Sequence, residues 1–187
     1  MIVLSTRSWE PNYGVRDLLD AFCIARKKMP QLRLVLLGSG SLKADVEQFV
    51  REQGLANEVL LPGATSPEQL PEYLRAADVY ASCAYSDGSS VSLLEAMATG
   101  LPVLAIDRAS NREWVVSPDH GLLVPFGDRP AIAAGLLELS SLSPERRSSM
   151  ASSNRRMIEQ RADWSLNVTK LLAAYRTLRP DLANETT

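Results

Sequence analysis

The chain has 187 residues, of which 45% are apolar, and a formal net charge of −2. That length suits one domain able to bury a core without disulfide or metal staples. The charge leaves no electrostatic footprint for nucleic acid, and no stretch approaches the roughly 18 consecutive apolar residues of a membrane helix.

Strand and helix patterns alternate from the first residue. Short aliphatic runs read as strands at IVLST (2–6), LRLVLLG (32–38), EVLLPG (58–63), DVYASC (78–83), PVLAID (102–107) and GLLVP (121–125). Most are continuously apolar, as strands covered on both faces of a parallel sheet should be. Helical periodicity fills 15–29, 41–53, 67–76, 90–99 and 129–140. The tail changes character. SPERRSSMASSNRRMIEQR and DWSLNVTKLLAAYRTLR carry no strand signal and predict two or three helices over about 144–179. Beyond Pro180 the polar end is expected to fray. No repeat or low-complexity linker interrupts the chain, so residues 1–187 are expected to form one domain.

This alternation predicts an α/β fold, a Rossmann-like doubly wound parallel sheet of about six strands in the order 3-2-1-4-5-6. The ligand crevice of such a sheet lies beyond the carboxyl ends of strands 1 and 4. Cys23 and Cys83 sit far apart in apolar contexts and read as reduced core residues. The single histidine, His120, excludes a Cys/His zinc cluster and reads as a loop residue. No signal peptide is visible after Met1, so a cytoplasmic setting is expected.

The turn after strand 4 opens the stretch SDGSSVSLLEAMATGLPV (86–103). Asp87-Gly88 suits a tight turn, and Ser89 or Ser90 suits the N-cap of a helix running through Ala98. Gly100 and Pro102 then stop it. A helix N-terminus lined by small residues is open to an anion, although a capped helix with nothing bound explains the same residues. Glu95 falls at the edge of an apolar arc formed by Leu93, Met97, Leu94, Ala98 and Val91. At that boundary a carboxylate needs a partner, either a neighbouring backbone amide or a ligand hydroxyl. Arg7 follows strand 1 across the switch point and can bind phosphate bidentately. An anion seat with hydroxyl-accepting carboxylates on both sides fits a nucleoside diphosphate sugar.

SDGSSVSLLEAMATGLPVLAIDRASNREWV, followed by HGLLVPFGD, resembles the retaining glycosyltransferases of the GT-B fold, specifically glycosyltransferase family 4, the group 1 transferases. The resemblance extends to STRSWEPNYGVRDLLDAF, LVLLGSGSL, LPGATSPEQLPEYLRAADVYASCAYSDG and DWSLNVTKLLAAY. It implies the second, donor-binding half of such an enzyme, which transfers sugar from a nucleoside diphosphate sugar to a glycan, lipid or small-molecule acceptor. By the same resemblance, Glu95 would bind the ribose hydroxyls and Asp87 the donor sugar. The amides of Ser90 and Val91 would hold the diphosphate, and those of Gly88 and Ser89 would lie beside the sugar. Arg7 matches the phosphate-binding arginine. The base would lie near Gly38, Gly40 and Gly63, and Glu113 matches a downstream glutamate.

Two departures stand out. Asp87 is one methylene shorter than the usual glutamate, and Tyr13 occupies the place of a lysine that pairs with the arginine on the diphosphate. Arg112 is a candidate substitute for that cation. Neither a metal nor another cofactor is implied. The acceptor-binding half is expected to lie outside this chain, so the domain alone is expected to bind donor weakly, with little or no turnover. The full-length enzyme is expected in the cytoplasm or at the cytoplasmic face of a membrane. A GT-B epimerase half and a non-catalytic nucleotide-binding module are the alternatives. A nicotinamide enzyme or P-loop NTPase is excluded, because neither glycine-rich motif is present where it is needed.

Overall fold

The computed structural model describes residues 1–86, 88 and 90–178. Six runs rich in leucine and valine form a single parallel sheet: β1 (Ile2–Ser5), β2 (Arg33–Leu37), β3 (Val59–Gly63), β4 (Val79–Ser82), β5 (Val103–Ile106) and β6 (Gly121–Val124). Their order is β3-β2-β1-β4-β5-β6, as the alternation predicts. Eight helices occur among the described residues: α1 (Val15–Lys28), α2 (Lys43–Glu52), α3 (Leu70–Ala76), α4 (Val91–Ala98), α5 (Ala109–Arg112), α6 (Arg129–Ser140), α7 (Pro144–Arg161) and α8 (Trp164–Leu178). The short α5 and a 3-10 turn at Pro11–Tyr13 lie in stretches too brief to show periodicity. No described helix is long and apolar enough to cross a membrane.

Strand side chains alternate between two cores, as the period of two requires. Val3, Val79, Ala81, Leu104 and Ile106 face α1, α2 and α6, whose Leu18, Phe22, Phe49, Ile132 and Leu136 are buried against them. Leu4, Tyr80, Val103 and Ala105 face the other way, with Leu74 of α3 and Leu93, Ala96 and Met97 of α4. Both cysteines are free thiols, and burial pushes the Cys83 thiol up to about 12.

The expected apolar arc of α4 is corrected by one turn. Leu93, Ala96 and Met97 form the buried stripe, whereas Val91 is 65% exposed and Ala98 is also exposed. The helix stops as read: Gly100 N–H donates to the Met97 carbonyl and Leu101 N–H to the Ala96 carbonyl, at 2.9 and 3.0 Å, a Schellman closure.

α7 fastens that closure from outside. The fully buried Asn154 donates through Nδ2 to the Leu101 carbonyl at 2.9 Å and the His120 carbonyl at 3.0 Å. Arg155 donates to the Thr99 carbonyl. Met157 and Ile158 pack against the α4 core. By contrast, α8 has no buried residue, and Trp164, Leu166, Leu171, Leu172, Tyr175 and Leu178 are all exposed.

Asn154→Ala leaves two buried carbonyls without their donor. It is expected to lower unfolding free energy by about 2–3 kcal/mol, read as a shift of the urea midpoint at unchanged slope.

Candidate functional site

β1 and β4 lie side by side, with Val3 opposite Val79 and Leu4 opposite Tyr80. Their exit loops diverge and open the crevice that this topology dictates. The loop leaving β1 is held on both sides. Toward β2, Trp9 N–H donates to the Ser39 carbonyl at 3.0 Å, Leu42 N–H to the Trp9 carbonyl at 2.9 Å, and the Glu10 carboxylate accepts from Ser41. A Cβ at Gly38 would lie 2.8 Å from the Arg7 carbonyl oxygen, and one at Gly40 2.4 Å from that of Trp9. Toward β4, Tyr85 N–H donates to the Asn12 carbonyl at 2.7 Å. At Gly14 a Cβ would fall 2.1 Å from the Cys83 carbonyl oxygen.

This loop delivers Arg7 to the start of α4. Its Nη1 donates to Ser90 Oγ at 3.1 Å and to Ser92 Oγ at 2.8 Å. Ser90 is also the N-cap, accepting from the Leu93 amide. The first amides of a helix have no intrahelical acceptor, and the macrodipole makes that end positive. A guanidinium beside it adds positive to positive, an arrangement that favours an anion.

One turn on, Glu95 occupies the wall of a cavity of about 370 Å³. The other walls are Thr65, Ser66 and Pro67 of the β3–α3 loop, Leu70, Pro71 and Leu74 of α3, and Ala98 and Thr99. The Glu95 carboxylate is half-buried and has no hydrogen-bond partner among the described residues. Partial burial pushes its carboxyl above the ordinary range. Among the described residues no backbone amide donates to it.

Residues 1–157 match the model of the family described as glycosyl transferases group 1. The chain belongs to that family. Among its relatives, the phosphatidyl-myo-inositol mannosyltransferase of Mycobacterium leprae is 30% identical over 174 residues, covering 90% of this chain and 44% of that protein. The chain thus spans less than half the length of this relative. Anabaena HepE in complex with UDP-glucose superposes with a TM-score of 0.83 at 22% identity, over 94% of this chain and 48% of that one. The C-terminal domain of LpcC, a group 1 family protein from Francisella tularensis, superposes with a TM-score of 0.78 at 22% identity, over 87% of this chain and 86% of that one. The fold is therefore the second half of the GT-B fold.

Within this group 1 domain the expected site residues fall into three sets. Arg7, Ser90, Val91 and Glu95 meet at α4, and Gly88 lies on the loop before it, with nothing within 4 Å of where its Cβ would be. Gly38 and Gly40 are accounted for by the close approach of two loops, whereas a Cβ at Gly63 would meet nothing within 4 Å. Asp87 and Ser89 lie outside the described residues. Tyr13, in the place of the expected lysine, stacks on Arg7, with the guanidinium carbon 4.4 Å from the ring centre. Arg112, the candidate substitute for that lysine, pairs with both oxygens of Asp107, at 2.5 and 2.9 Å. Glu113 pairs with Arg161 at 3.3 Å, and His120 is a loop residue beside Ser117. The cavity wall of Thr65, Pro67, Leu70 and Leu74 was invisible in the sequence, because a loop and two helices far apart in the chain build it. Among the described residues no group of three His, Cys, Asp or Glu could hold a metal ion.

The raised carboxyl of Glu95 has a consequence for stability. Well below its ordinary value of 4.5 the group is protonated in both states; as pH rises from there through the higher folded value, the unfolded chain ionises first and the fold loses stability. Glu95→Gln is therefore expected to be more stable than the native chain at pH 7. The advantage is expected to vanish in acid, as urea titrations at both pH values would show.

Proposed function

We propose that this chain is the donor-binding domain of a retaining glycosyltransferase that uses a nucleoside diphosphate sugar. The observation that carries the reading is Glu95: a half-buried carboxylate without a partner among the described residues, on the wall of a largely apolar cavity, one turn from an anion-favouring helix end. A carboxylate accepts hydrogen bonds only, so vicinal hydroxyls of a ribose are its natural complement. The base then lies near the β2 and β3 exits at Gly38, Gly40 and Gly63, and the diphosphate reaches the α4 N-terminus and Arg7. Family membership and the UDP-glucose complex of HepE support the same ligand class.

The chemistry follows from this placement. The bond between the anomeric carbon and the diphosphate oxygen breaks, an acceptor hydroxyl oxygen bonds to that carbon, and its proton leaves with the diphosphate. Negative charge grows on the leaving group, which the amides of Ser90 and Val91 and the Arg7 guanidinium would hold. Their stabilisation increases as the bond lengthens, which is the condition for accelerating the step. No metal takes part in this reading. Asp87 reads the sugar hydroxyls, and the acceptor is supplied by a second domain outside this chain.

Calorimetric titration with UDP, GDP, ADP and CDP, and with their sugars, tests the assignment. One base is expected to bind best, with micromolar to millimolar affinity. Glu95→Ala is expected to weaken it at least about tenfold, the order of lost hydrogen bonds to a charged group. Binding of none of them, or an unaffected Glu95→Ala, would sink the ribose assignment. Efficient sugar transfer by this chain alone would overturn the two-domain reading.

A further inference from the structure

Tyr80 is the only aromatic residue in the six strands. Its side chain is wholly buried between the sheet and α4, and its hydroxyl reaches Ser92 in the first turn of α4. A phenylalanine would fill the same space without a polar group to satisfy. What the hydroxyl does is shown by its partners. Tyr80 Oη donates to Ser92 Oγ at 2.9 Å, and Thr6 Oγ1 lies 3.3 Å from Tyr80 Oη. Ser92 Oγ also accepts from Arg7 Nη1 at 2.8 Å.

A serine hydroxyl has two lone pairs. Here one takes the phenol and the other the guanidinium, so the Ser92 rotor is fixed with its oxygen facing Arg7. Its own hydrogen is directed away, with Ser90 Oγ at 3.3 Å as its neighbour. The path closes on itself: Thr6 and Arg7 are adjacent on the β1 exit, Tyr80 is on the neighbouring strand, and Ser92 is on α4. Burial raises the Tyr80 phenol, which keeps it protonated and therefore a donor. The Tyr13 ring supports the guanidinium at 4.4 Å.

We propose that Tyr80 is a positioning residue: through Ser92 it orders the Arg7 guanidinium at the N-terminus of α4 for the anionic oxygens of a nucleoside diphosphate. The proposal rests on the functional reading above for its ligand, while the ordering of Arg7 stands by itself. Without the phenol, Ser92 Oγ loses one of the two donors that fix it and holds Arg7 less firmly, although no ligand contact is removed.

Two measurements on the full chain separate these levels. In the first, nitrogen-15 spectra report rotation of the Arg7 guanidinium, assigned by its loss in Arg7→Lys. The native chain is expected to show a slowly rotating, resolved Nη signal that broadens in Tyr80→Phe. In the second, UDP and uridine are titrated, or the diphosphate and nucleoside of whichever base the panel above selects. Tyr80→Phe is expected to bind UDP about tenfold more weakly, with uridine affinity unchanged, because only the diphosphate meets Arg7. Ser92→Ala is expected to reproduce that split, and Ser92→Thr, which keeps the hydroxyl, to restore it. An Arg7 signal as ordered in Tyr80→Phe as in the native chain overturns the proposal. So does an equal loss of UDP and uridine affinity, the mark of a merely structural role. If the native chain binds neither diphosphate nor nucleoside, the functional reading fails, and the Arg7 spectrum still decides what Tyr80 does.

Discussion

The absence of three Cβ atoms fixes the path of the loop that carries Arg7. Gly38 and Gly40 let the β2 exit lie directly against the backbone of Arg7 and Trp9, and Gly14 lets the start of α1 rest on the Cys83 carbonyl. Any side chain at these positions would drive one loop off another, because the atoms in the way are backbone and cannot rotate aside. The loop is thus clamped between the exits of β2 and β4. An arginine on a free loop would sample many positions; on this one its guanidinium is brought to a helix end and stays there. The site is preorganised by backbone packing before any side chain interaction is counted.

Around that clamp the fold holds together groups that would not choose one another. A cation stands at the positive end of a helix, and a carboxylate is half-buried without a partner among the described residues. The half-buried carboxylate runs against local stability, and it is held by structure farther out. α7 closes the far end of α4 through Asn154, and two apolar cores grip the sheet on either face. Conflict concentrated at one place in an otherwise consistent fold is the pattern expected of a functional site.

Much of this was legible in the sequence. Parallel strands covered on both faces are continuously apolar, so their number and order could be read from runs such as LRLVLL and DVYAS. The Gly-then-Pro stop of α4 is local chemistry, and so is its serine cap. Arg7 and Glu95 could be placed because strand ends and helix turns have fixed geometry. What could not be read was long-range. Val91 and Ala98 fit an apolar arc but lie exposed, since periodicity tells which residues share a face and not how far the neighbour extends. The cavity beside Glu95 joins segments that no local pattern connects. Gly38 and Gly40 were legible as special positions, but the backbone that approaches them was not.

The contrast between α4 and α8 has a consequence in time rather than in space. α4 is held by sheet, cap and α7, so the amides of its later turns open to solvent only when much of the domain opens. α8 buries none of its residues, and a 15-residue helix without packing is marginal in water. Its amides exchange with solvent deuterium at a rate set by local fraying, orders of magnitude sooner. The molecule is graded from a slow centre at the site to a fast helix at the far end of the chain. The boundary runs through α7, whose Asn154 belongs to the slow part.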